Sequence, residues 1–501
     1  MLQLSGQRLP LEQIGAVANR KLRVGLAQSA REKMQASRGV IEAVLRDGRV
    51  VYGVNTGFGR LSEVHISPHE LEDLQLNLVR SHCCGLGRPL SEPETRAMML
   101  LRANVLAHGL SGCRIPVVET LLEMLEREVH PVIPEKGSVG ASGDLAPLAH
   151  LALALIGEGH VVWKRETMPS ADALRLAGIA PVRLAAKEGL ALLNGTQAMA
   201  AVGALAILRA WRVVRLADLA GAMTLEALLG TPSAFDARIQ EARPHEGQIA
   251  SATHLRELLE GSEIRRSHLL NDPRVQDAYS LRCMPQVHGA VRGVLKHVRD
   301  IVECETGSGT DNPLVFADGQ VLSGGNFHGA PLAMGFDYAG IAMTDLISIG
   351  ERRIDRLVNP QVNEGLPPFL SARPGLSSGY MLAQVSAASL LNDARVLAHP
   401  ASIDNVPTSG DKEDHVSMGM TAALKLRQII ENAEHVLAIE LLAAAEGLDY
   451  RVPLLSSAPI QRAHALLRTH AEKLTGDRPL AYDIECIAEI IRAGELDEFL
   501  D

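Results

Sequence analysis

The chain has 501 residues, more than one hydrophobic core usually supports, so two or more domains are expected. Hydrophobic residues make up 47% and charged residues 22%, and a net charge of −10 leaves no basic field for a nucleic-acid partner. The opening MLQLSGQRLP is not typical of a signal peptide, the most apolar segment (189–208) runs directly into arginines, and the six cysteines lack C-x-x-C spacing, so we expect a soluble cytosolic protein with reduced thiols and no membrane partner.

Helical periodicity dominates the chain. Apolar side chains recur at three- and four-residue spacing, which predicts helices with one buried face over 28–46, 92–108, 117–129 and 145–156. Longer patterns follow over 196–229, 333–358, 379–398 and 416–446. Helices that long and apolar on several sides usually bury themselves in a bundle, often one shared between subunits. Strand alternation is confined to 49–54 and 314–322, so a mainly α fold and a homo-oligomer are predicted.

The loop GSVGASGDLAPLAH, residues 137–150, begins with three glycines within seven residues and few large side chains, and it has three possible interpretations. A phosphate cradle is disfavoured, because the spacing is G-x-x-G-x-x-G, no lysine follows, and Asp144 would repel phosphate. Pro131 and Pro134 also argue against a preceding strand. A helix that begins near Asp144 explains that acid but not the glycines.

The third interpretation is that Ala141-Ser142-Gly143 cyclises. Gly143 has no side chain, so its nitrogen can approach the carbonyl of Ala141 closely. Ring closure and loss of water, including the Ser142 hydroxyl, would leave a C=C bond conjugated to carbonyls. The product would be a strong electrophile that needs no metal, and no metal-ligand set is visible in the sequence.

The longer string resembles the prosthetic-group loop of the aromatic amino acid ammonia-lyases and aminomutases. Six further strings in chain order carry the same resemblance: YGVNTGFG (52–59), LLNGTQA (192–198), QDAYSLRC (276–283), TDNPLVF (310–316), GGNFH (324–328) and KEDHVSMG (412–419). The resemblance implies the group 4-methylidene-imidazol-5-one (MIO), formed from the chain itself, with no external cofactor.

The same resemblance implies an architecture. It is a mainly α fold of ammonia-lyase and fumarase type, assembled as a homotetramer with sites built from several subunits. We expect a smaller N-terminal domain over 1–110 with the catalytic tyrosine loop, and a long-helix bundle over 111–501 with the MIO loop and the substrate-binding loops.

By the resemblance, four side chains in two strings act on the amino acid substrate. Tyr52 removes the β-proton, and Tyr279 assists catalysis. Arg282 binds the α-carboxylate, for which a planar two-pronged donor is well suited, and Gln276 contacts the substrate.

Two further positions surround the prosthetic group in the family pattern. Asn194, in LLNGTQA, lies beside it and holds the MIO carbonyl or the substrate. Phe327, in GGNFH, forms an aromatic wall of the substrate pocket.

Substrate choice in the family follows the pair Ser81-His82 in LQLNLVRSHCCG. Histidine-specific members carry Ser-His there, whereas tyrosine- and phenylalanine-specific members carry His-Leu or Phe-Leu. Glu413 matches the glutamate that accepts a proton or hydrogen bond from the substrate ring in histidine-specific members. The resemblance therefore implies elimination of ammonia from L-histidine to give urocanate, in histidine degradation.

Three places depart from the histidine-specific pattern: Asp411-Lys412 replaces Asn-Gln, Gly329-Ala330 replaces Ala-Glu, and Met284 replaces glutamine. Tyrosine or phenylalanine ammonia-lyase and a 2,3-aminomutase therefore remain open alternatives. An inactive lyase-like scaffold is a third, although the complete set of catalytic residues argues against it.

Overall fold

The computed structural model describes residues 1–57, 64–270, 272 and 274–500. Helices dominate: α1 Leu11–Ala18, α2 Gln28–Arg46, α3 Leu71–His82, α4 Glu92–Ala107, α5 Ile115–Glu126, α6 Leu145–Leu155, α7 Ser170–Ala177, α8 Glu188–Leu193, α9 Gln197–Ala227, α10 Ala237–Glu241, α11 Glu246–Leu259, α12 Glu263–Ser267, α13 Tyr279–Arg282, α14 Met284–Thr306, α15 Ala330–Val358, α16 Met381–Leu397, α17 Gly419–Asp449, α18 Ala458–His470 and α19 Leu480–Ala493. The short strands are β1 Leu2–Leu4, β2 Val24–Leu26, β3 Leu86–Pro89, β4 His130–Pro131, β5 Pro134–Lys136, β6 His160–Trp163, β7 Glu166–Pro169, β8 Leu314–Val315 and β9 Val321–Leu322. The predicted mainly α fold is confirmed.

All eight helices predicted from periodicity are present, with ends that shift by at most a few residues. Helix α4 illustrates why the local sequence suffices. Ser91 and Glu94 form a reciprocal capping box at its start, and Pro93 occupies the first turn, where no N–H is needed. The helix is then buried on all sides from Glu94 to Ala107, including Arg96 and Arg102, which donate to backbone carbonyls.

One predicted strand is absent, because residues 49–54 lead into a turn, whereas 314–322 do pair, as the antiparallel hairpin β8–β9. The expectation that no strand precedes the 137 loop is also wrong. Strands β4 and β5 precede the 137 loop although each contains a proline. They pair with distant partners, β6 and β3, so their stability comes from contacts that periodicity in the local sequence does not report.

The first compact unit comprises Met1–Leu208, Val298–Asp337 and Pro400–Leu424. Here α6 packs against both α3 and α8, which fixes the loop before α6 near the ends of those two helices. A small apolar cluster of Val40, Val44, Val54 and Val315 joins α2, the turn after Val51 and β8. That cluster holds the turn that carries Tyr52.

The second compact unit comprises Arg209–His297, Tyr338–His399 and Lys425–Asp501. Helices α10, α11, α18 and α19 pack in sequence within it. Its long helices approach closely at small residues: a side chain on Gly221 would collide with the Met284 sulfur, and one on Gly447 would press on Ala227. The predicted domain boundary between 110 and 111 stays a prediction.

Helix α15 is long and apolar enough to span a membrane by length and composition alone. Two thirds of its most apolar window (67%) is buried within the structure, as is usual for a core helix.

Candidate active site

The loop from 137 to 144 connects β5 to α6, and its three glycines all have positive φ: 129° at Gly137, 69° at Gly140 and 73° at Gly143. A β-carbon on Gly143 would collide with the backbone of Gly195, and one on Gly140 with the hydroxyl of Ser417. Conformation and space therefore both require glycine at these two positions.

A backbone contact attaches the loop to the segment after α8. Gly143 and Gly195 form an isolated parallel bridge, and the Asp144 N–H donates to the Gly195 carbonyl at 2.7 Å. This contact brings Asn194, which ends α8, beside the tripeptide Ala141-Ser142-Gly143. The structure thus joins two of the predicted site segments.

Asp144 occupies the N-cap position of α6, as the sequence suggested, but its side chain does not cap that helix. Its carboxylate accepts from the Met199 N–H in the first turn of α9 at 2.8 Å and from the Ser138 hydroxyl at 2.7 Å. It is fully buried, and burial raises the pKa of Asp144 to about 6 although these hydrogen bonds act in the opposite direction. Asp144 therefore attaches the loop to the positive end of the α9 dipole.

The half-buried Ser142 side chain meets Glu413. The Ser142 hydroxyl donates to Glu413 Oε1 at 2.9 Å, across 271 residues of sequence. The other carboxylate oxygen, Oε2, accepts from the hydroxyls of Thr408 at 2.8 Å and Ser409 at 2.6 Å. The backbone of Thr408 and Glu413 also pairs, so one carboxylate oxygen is held by its own loop while the other is directed at Ser142.

Lys412 does not neutralise this carboxylate. Its side chain is exposed, and within the described part of the chain no ion pair links it to Glu413. The departure at 412 from the histidine-specific pattern therefore leaves the Glu413 hydrogen bonds intact.

His82, the last residue of α3, lies close enough to Glu413 to feel its charge. Its Nδ1 lies 2.8 Å from the Leu78 carbonyl oxygen and 3.1 Å from the Ser81 hydroxyl. Partial burial lowers the pKa of His82, against smaller raising effects from the Leu78 carbonyl and the Glu413 charge. A predominantly neutral ring near pH 7 follows.

Asn194 is buried, and its side-chain Oδ1 has no hydrogen-bond partner among the described residues. Its backbone, in contrast, is firmly held, because Arg102 donates to the carbonyls of Ala191 at 2.8 Å and Asn194 at 2.9 Å. Burial lowers the pKa of Arg102 to about 10, so it remains a cation. A fixed backbone with an unsatisfied amide oxygen is the arrangement expected of a group that awaits a ligand.

Two other predicted residues of the first unit lie on loops. Tyr52 is half-buried in a turn whose backbone is fixed by Asn55 and Thr56, which accept hydrogen bonds from the N–H groups of Val51 and Gly53. Phe327 is half-buried just before α15. The end of the YGVNTGFG string, from Phe58 onward, lies outside the described residues.

Three predicted site residues, one catalytic and two substrate-binding, belong to the second unit. The Arg282 guanidinium lies over the Tyr279 ring, 4.5 Å from its centroid, and both residues lie on α13. Arg282 Nε is buried with no acceptor in the described chain, whereas Tyr279 is 70% exposed. Gln276 is also exposed. The Met284 departure is a core substitution, because its side chain is fully buried at the start of α14.

Several residues that shape the site were absent from the sequence-based set: Ser138, Asp144, Met199, Arg102, Thr408 and Ser409. The signals were weak but present, since Ser138 and Asp144 lie close to Ala141-Ser142-Gly143 in sequence and Thr408-Ser409 precede Glu413 by a few residues. Their partners are remote in sequence, so only the fold identifies the contacts. No group of three or more potential metal ligands occurs in the described part of the chain.

Comparison with known proteins agrees with this geometry. Residues 9–469 match the family described as aromatic amino acid lyase. The chain is 55% identical to a histidine ammonia-lyase of Anaeromyxobacter sp. (strain K), over 99% of each chain. It superposes on the crystal structure of histidine ammonia-lyase from Trypanosoma cruzi with a TM-score of 0.93 and 42% identity, over 99% of this chain and 94% of that one. The tyrosine aminomutase of Streptomyces globisporus gives a TM-score of 0.95 at 38% identity, over 99% and 98%.

The fold is mainly helical, and its Ala-Ser-Gly loop is held by backbone contacts with Gly195 after α8. These two features define the class of protein. The chain belongs to the aromatic amino acid lyase family, as the sequence strings predicted.

Proposed function

We propose that this enzyme is a carbon–nitrogen lyase that eliminates ammonia from L-histidine to give urocanate. One observation carries the proposal: relatives 55% and 54% identical over 99% of the chain are named histidine ammonia-lyase. The names agree with the substrate predicted from Ser81-His82 and Glu413. Tyrosine or phenylalanine specificity, an aminomutase and an inactive scaffold are not favoured, although the fold alone does not separate a lyase from an aminomutase.

The residues present suit a prosthetic group made from Ala141-Ser142-Gly143. Gly143 has a positive φ and no space for a side chain, the Ser142 hydroxyl is half-buried and hydrogen-bonded, and the Asn194 amide oxygen beside them lacks a partner in the described chain. When formed, 4-methylidene-imidazol-5-one supplies an electrophile for the amino acid. Asn194 would hold its carbonyl or the substrate.

The remaining roles belong to side chains. Tyr52 is proposed to remove the β-proton and Tyr279 to assist. Arg282 binds the α-carboxylate, which its unsatisfied buried Nε supports, because a guanidinium without an acceptor is ready for a two-pronged partner. Gln276 contacts the substrate, and Phe327 forms the aromatic wall.

Recognition of the imidazole is assigned to His82 and Glu413. The lowered pKa of His82 keeps a neutral ring that can exchange one hydrogen bond with the substrate imidazole without repelling it. Glu413 is held by Thr408 and Ser409 and can accept an N–H from the same ring. An apolar ring would leave both polar groups unsatisfied, which disfavours phenylalanine.

The assembly proposed for the enzyme is a homotetramer whose sites combine residues of several subunits. The exposure of Tyr279 and Gln276 supports this, because residues that act on a substrate are normally enclosed in the working site. A cytosolic location and a place in histidine degradation are part of the same proposal.

The test is to incubate purified enzyme separately with L-histidine, L-tyrosine and L-phenylalanine, and to follow both the near-ultraviolet absorbance of the conjugated acid and released ammonia. Urocanate and ammonia from histidine alone are expected. Coumarate or cinnamate would overturn the substrate assignment, and a β-amino acid product would indicate an aminomutase. No product from any of the three would contradict the proposal.

A further inference from the structure

The contact between Ser142 and Glu413 has a chemical meaning that substrate recognition does not cover. The Ser142 hydroxyl is the group that the tripeptide must lose, and Glu413 Oε1 is 2.9 Å from its oxygen. The two atoms are therefore in direct hydrogen-bond contact before any substrate is present.

The rest of the Glu413 side chain is arranged to keep that oxygen available. Oε2 is bound by the hydroxyls of Thr408 and Ser409, and the backbone is paired with Thr408. Lys412 is exposed and forms no ion pair with Glu413 within the described chain, so it does not compete with Ser142 for the carboxylate. Oε1 is therefore left to face the Ser142 hydroxyl.

The other acid near the tripeptide is committed elsewhere. Asp144 uses one carboxylate oxygen for the Ser138 hydroxyl and the other for the Met199 N–H. Glu413 is therefore the acid in contact with Ser142, and the one placed to act on it.

We propose that Glu413 is the general acid for dehydration of Ser142, a step in forming the prosthetic group; this inference rests on the proposed function. After the Gly143 nitrogen bonds to the Ala141 carbonyl carbon and one water leaves, Ser142 loses its Cα proton to solvent. The electron pair of that bond forms Cα=Cβ, and the Cβ–O bond breaks. Glu413, whose resting carboxylate accepts from Ser142, takes up a proton from solvent and passes it to the departing oxygen, which leaves as a second water. The proton released from Cα balances the one taken up, so no oxidant or reductant is consumed.

The test follows the mass of the intact full-length chain after cell-free synthesis, with translation stopped at a fixed time. The wild-type chain should become lighter by two water molecules. Glu413→Gln keeps size and hydrogen bonding but has no acidic proton, so loss of the second water should slow by about a hundredfold. Asp414→Asn is the matched control, since it removes the same charge from an exposed neighbour, and it should mature at the wild-type rate.

A second variant covers the case in which Glu413→Gln disturbs the fold, which circular dichroism would reveal. The double substitution Thr408→Val with Ser409→Ala leaves the acid in place and removes the hydroxyls on Oε2, so maturation should slow by about tenfold, and an unchanged rate in a folded chain would count against the role of Glu413.

The outcomes separate this inference from the function itself. If the wild-type and the Glu413→Gln chains lose two waters equally fast, the role of Glu413 is overturned and the proposed function is left intact. A wild-type chain that never loses two waters would contradict the prosthetic group, and with it the proposed function. Slow dehydration in Glu413→Gln and wild-type behaviour in Asp414→Asn support the inference.

Discussion

Two fully buried aspartates, one in each unit, have opposite electrostatics. Asp144 in the first unit accepts from the Met199 N–H and the Ser138 hydroxyl, and burial raises its pKa to about 6. Asp218 in the second unit lies between His254, His288 and Arg292. Burial alone would raise the pKa of Asp218, but bonds from both histidines and the neighbouring positive charges hold it well below its usual range.

The difference shows that burial alone does not decide whether an acid is ionised. The charge of its hydrogen-bond donors decides it in these two cases. The Asp218 cluster is a saturated ionic core, suited to stability, in which the Ser251 hydroxyl also donates to the carboxylate at 2.6 Å. The loop at Asp144 is held by neutral donors and lies beside Asn194, whose amide oxygen is unsatisfied in the described chain. We therefore expect the loop at Asp144 to matter mainly for chemistry and the Asp218 cluster mainly for stability, and the following changes test that contrast.

The largest effect is expected from Ser142→Ala. Removal of the hydroxyl abolishes the electrophile, so elimination of ammonia should fall by roughly a thousandfold or more while circular dichroism stays unchanged. Ser308→Ala, on a half-buried serine far from the loop in sequence, should keep wild-type activity. A fully active Ser142→Ala enzyme would disprove the role of the loop.

Asp218→Asn should lower the stability of the fold, in contrast to Ser142→Ala, which should lower activity. The substitution leaves His254, His288 and Arg292 without their common anion, which should lower the free energy of unfolding by about 3–5 kcal/mol. Urea unfolding at one fixed protein concentration measures it. Asp172→Asn, on an exposed acid, should change it by less than about 0.5 kcal/mol. Equal effects of the two variants would contradict the assignment of the cluster to stability.

Asp144 should make stability fall as pH rises. Its folded pKa of about 6 lies above that of the unfolded chain, so the folded state binds the extra proton between about pH 4 and 6 and loses that advantage above pH 6. The free energy of unfolding of the wild type, relative to Asp144→Asn, should fall by about 3 kcal/mol from pH 4 to pH 7. Parallel pH profiles for the two proteins would show that Asp144 does not titrate in this range.

The smallest effect is expected from Lys412→Gln, which restores the residue type of the histidine-specific pattern. Because Lys412 is exposed and has no ion pair with Glu413 in the described chain, kcat/KM for histidine should change by less than about twofold. A change of tenfold in steady-state kinetics would mean that Lys412 acts on the Glu413 carboxylate after all.

Much of the helical architecture was predictable, because 3.6-residue periodicity and end signals such as Ser91 and Glu94 are local. The short strands were not, because β4 and β5 depend on partners far along the chain and contain the prolines that argued against them. The assignment of Asp144 was half right: its position at the start of α6 follows from sequence, whereas its bond to Met199 depends on how α9 packs.

By itself, the sequence determined the family and the helices and singled out Ala141-Ser142-Gly143, since these depend on residue types and short-range spacing. The tertiary structure decided which atoms meet. It placed Gly143 against Gly195, directed the Ser142 hydroxyl at Glu413, and left the Asn194 amide oxygen unsatisfied in the described chain. Those contacts join residues tens to hundreds of positions apart, so local spacing in the sequence does not report them.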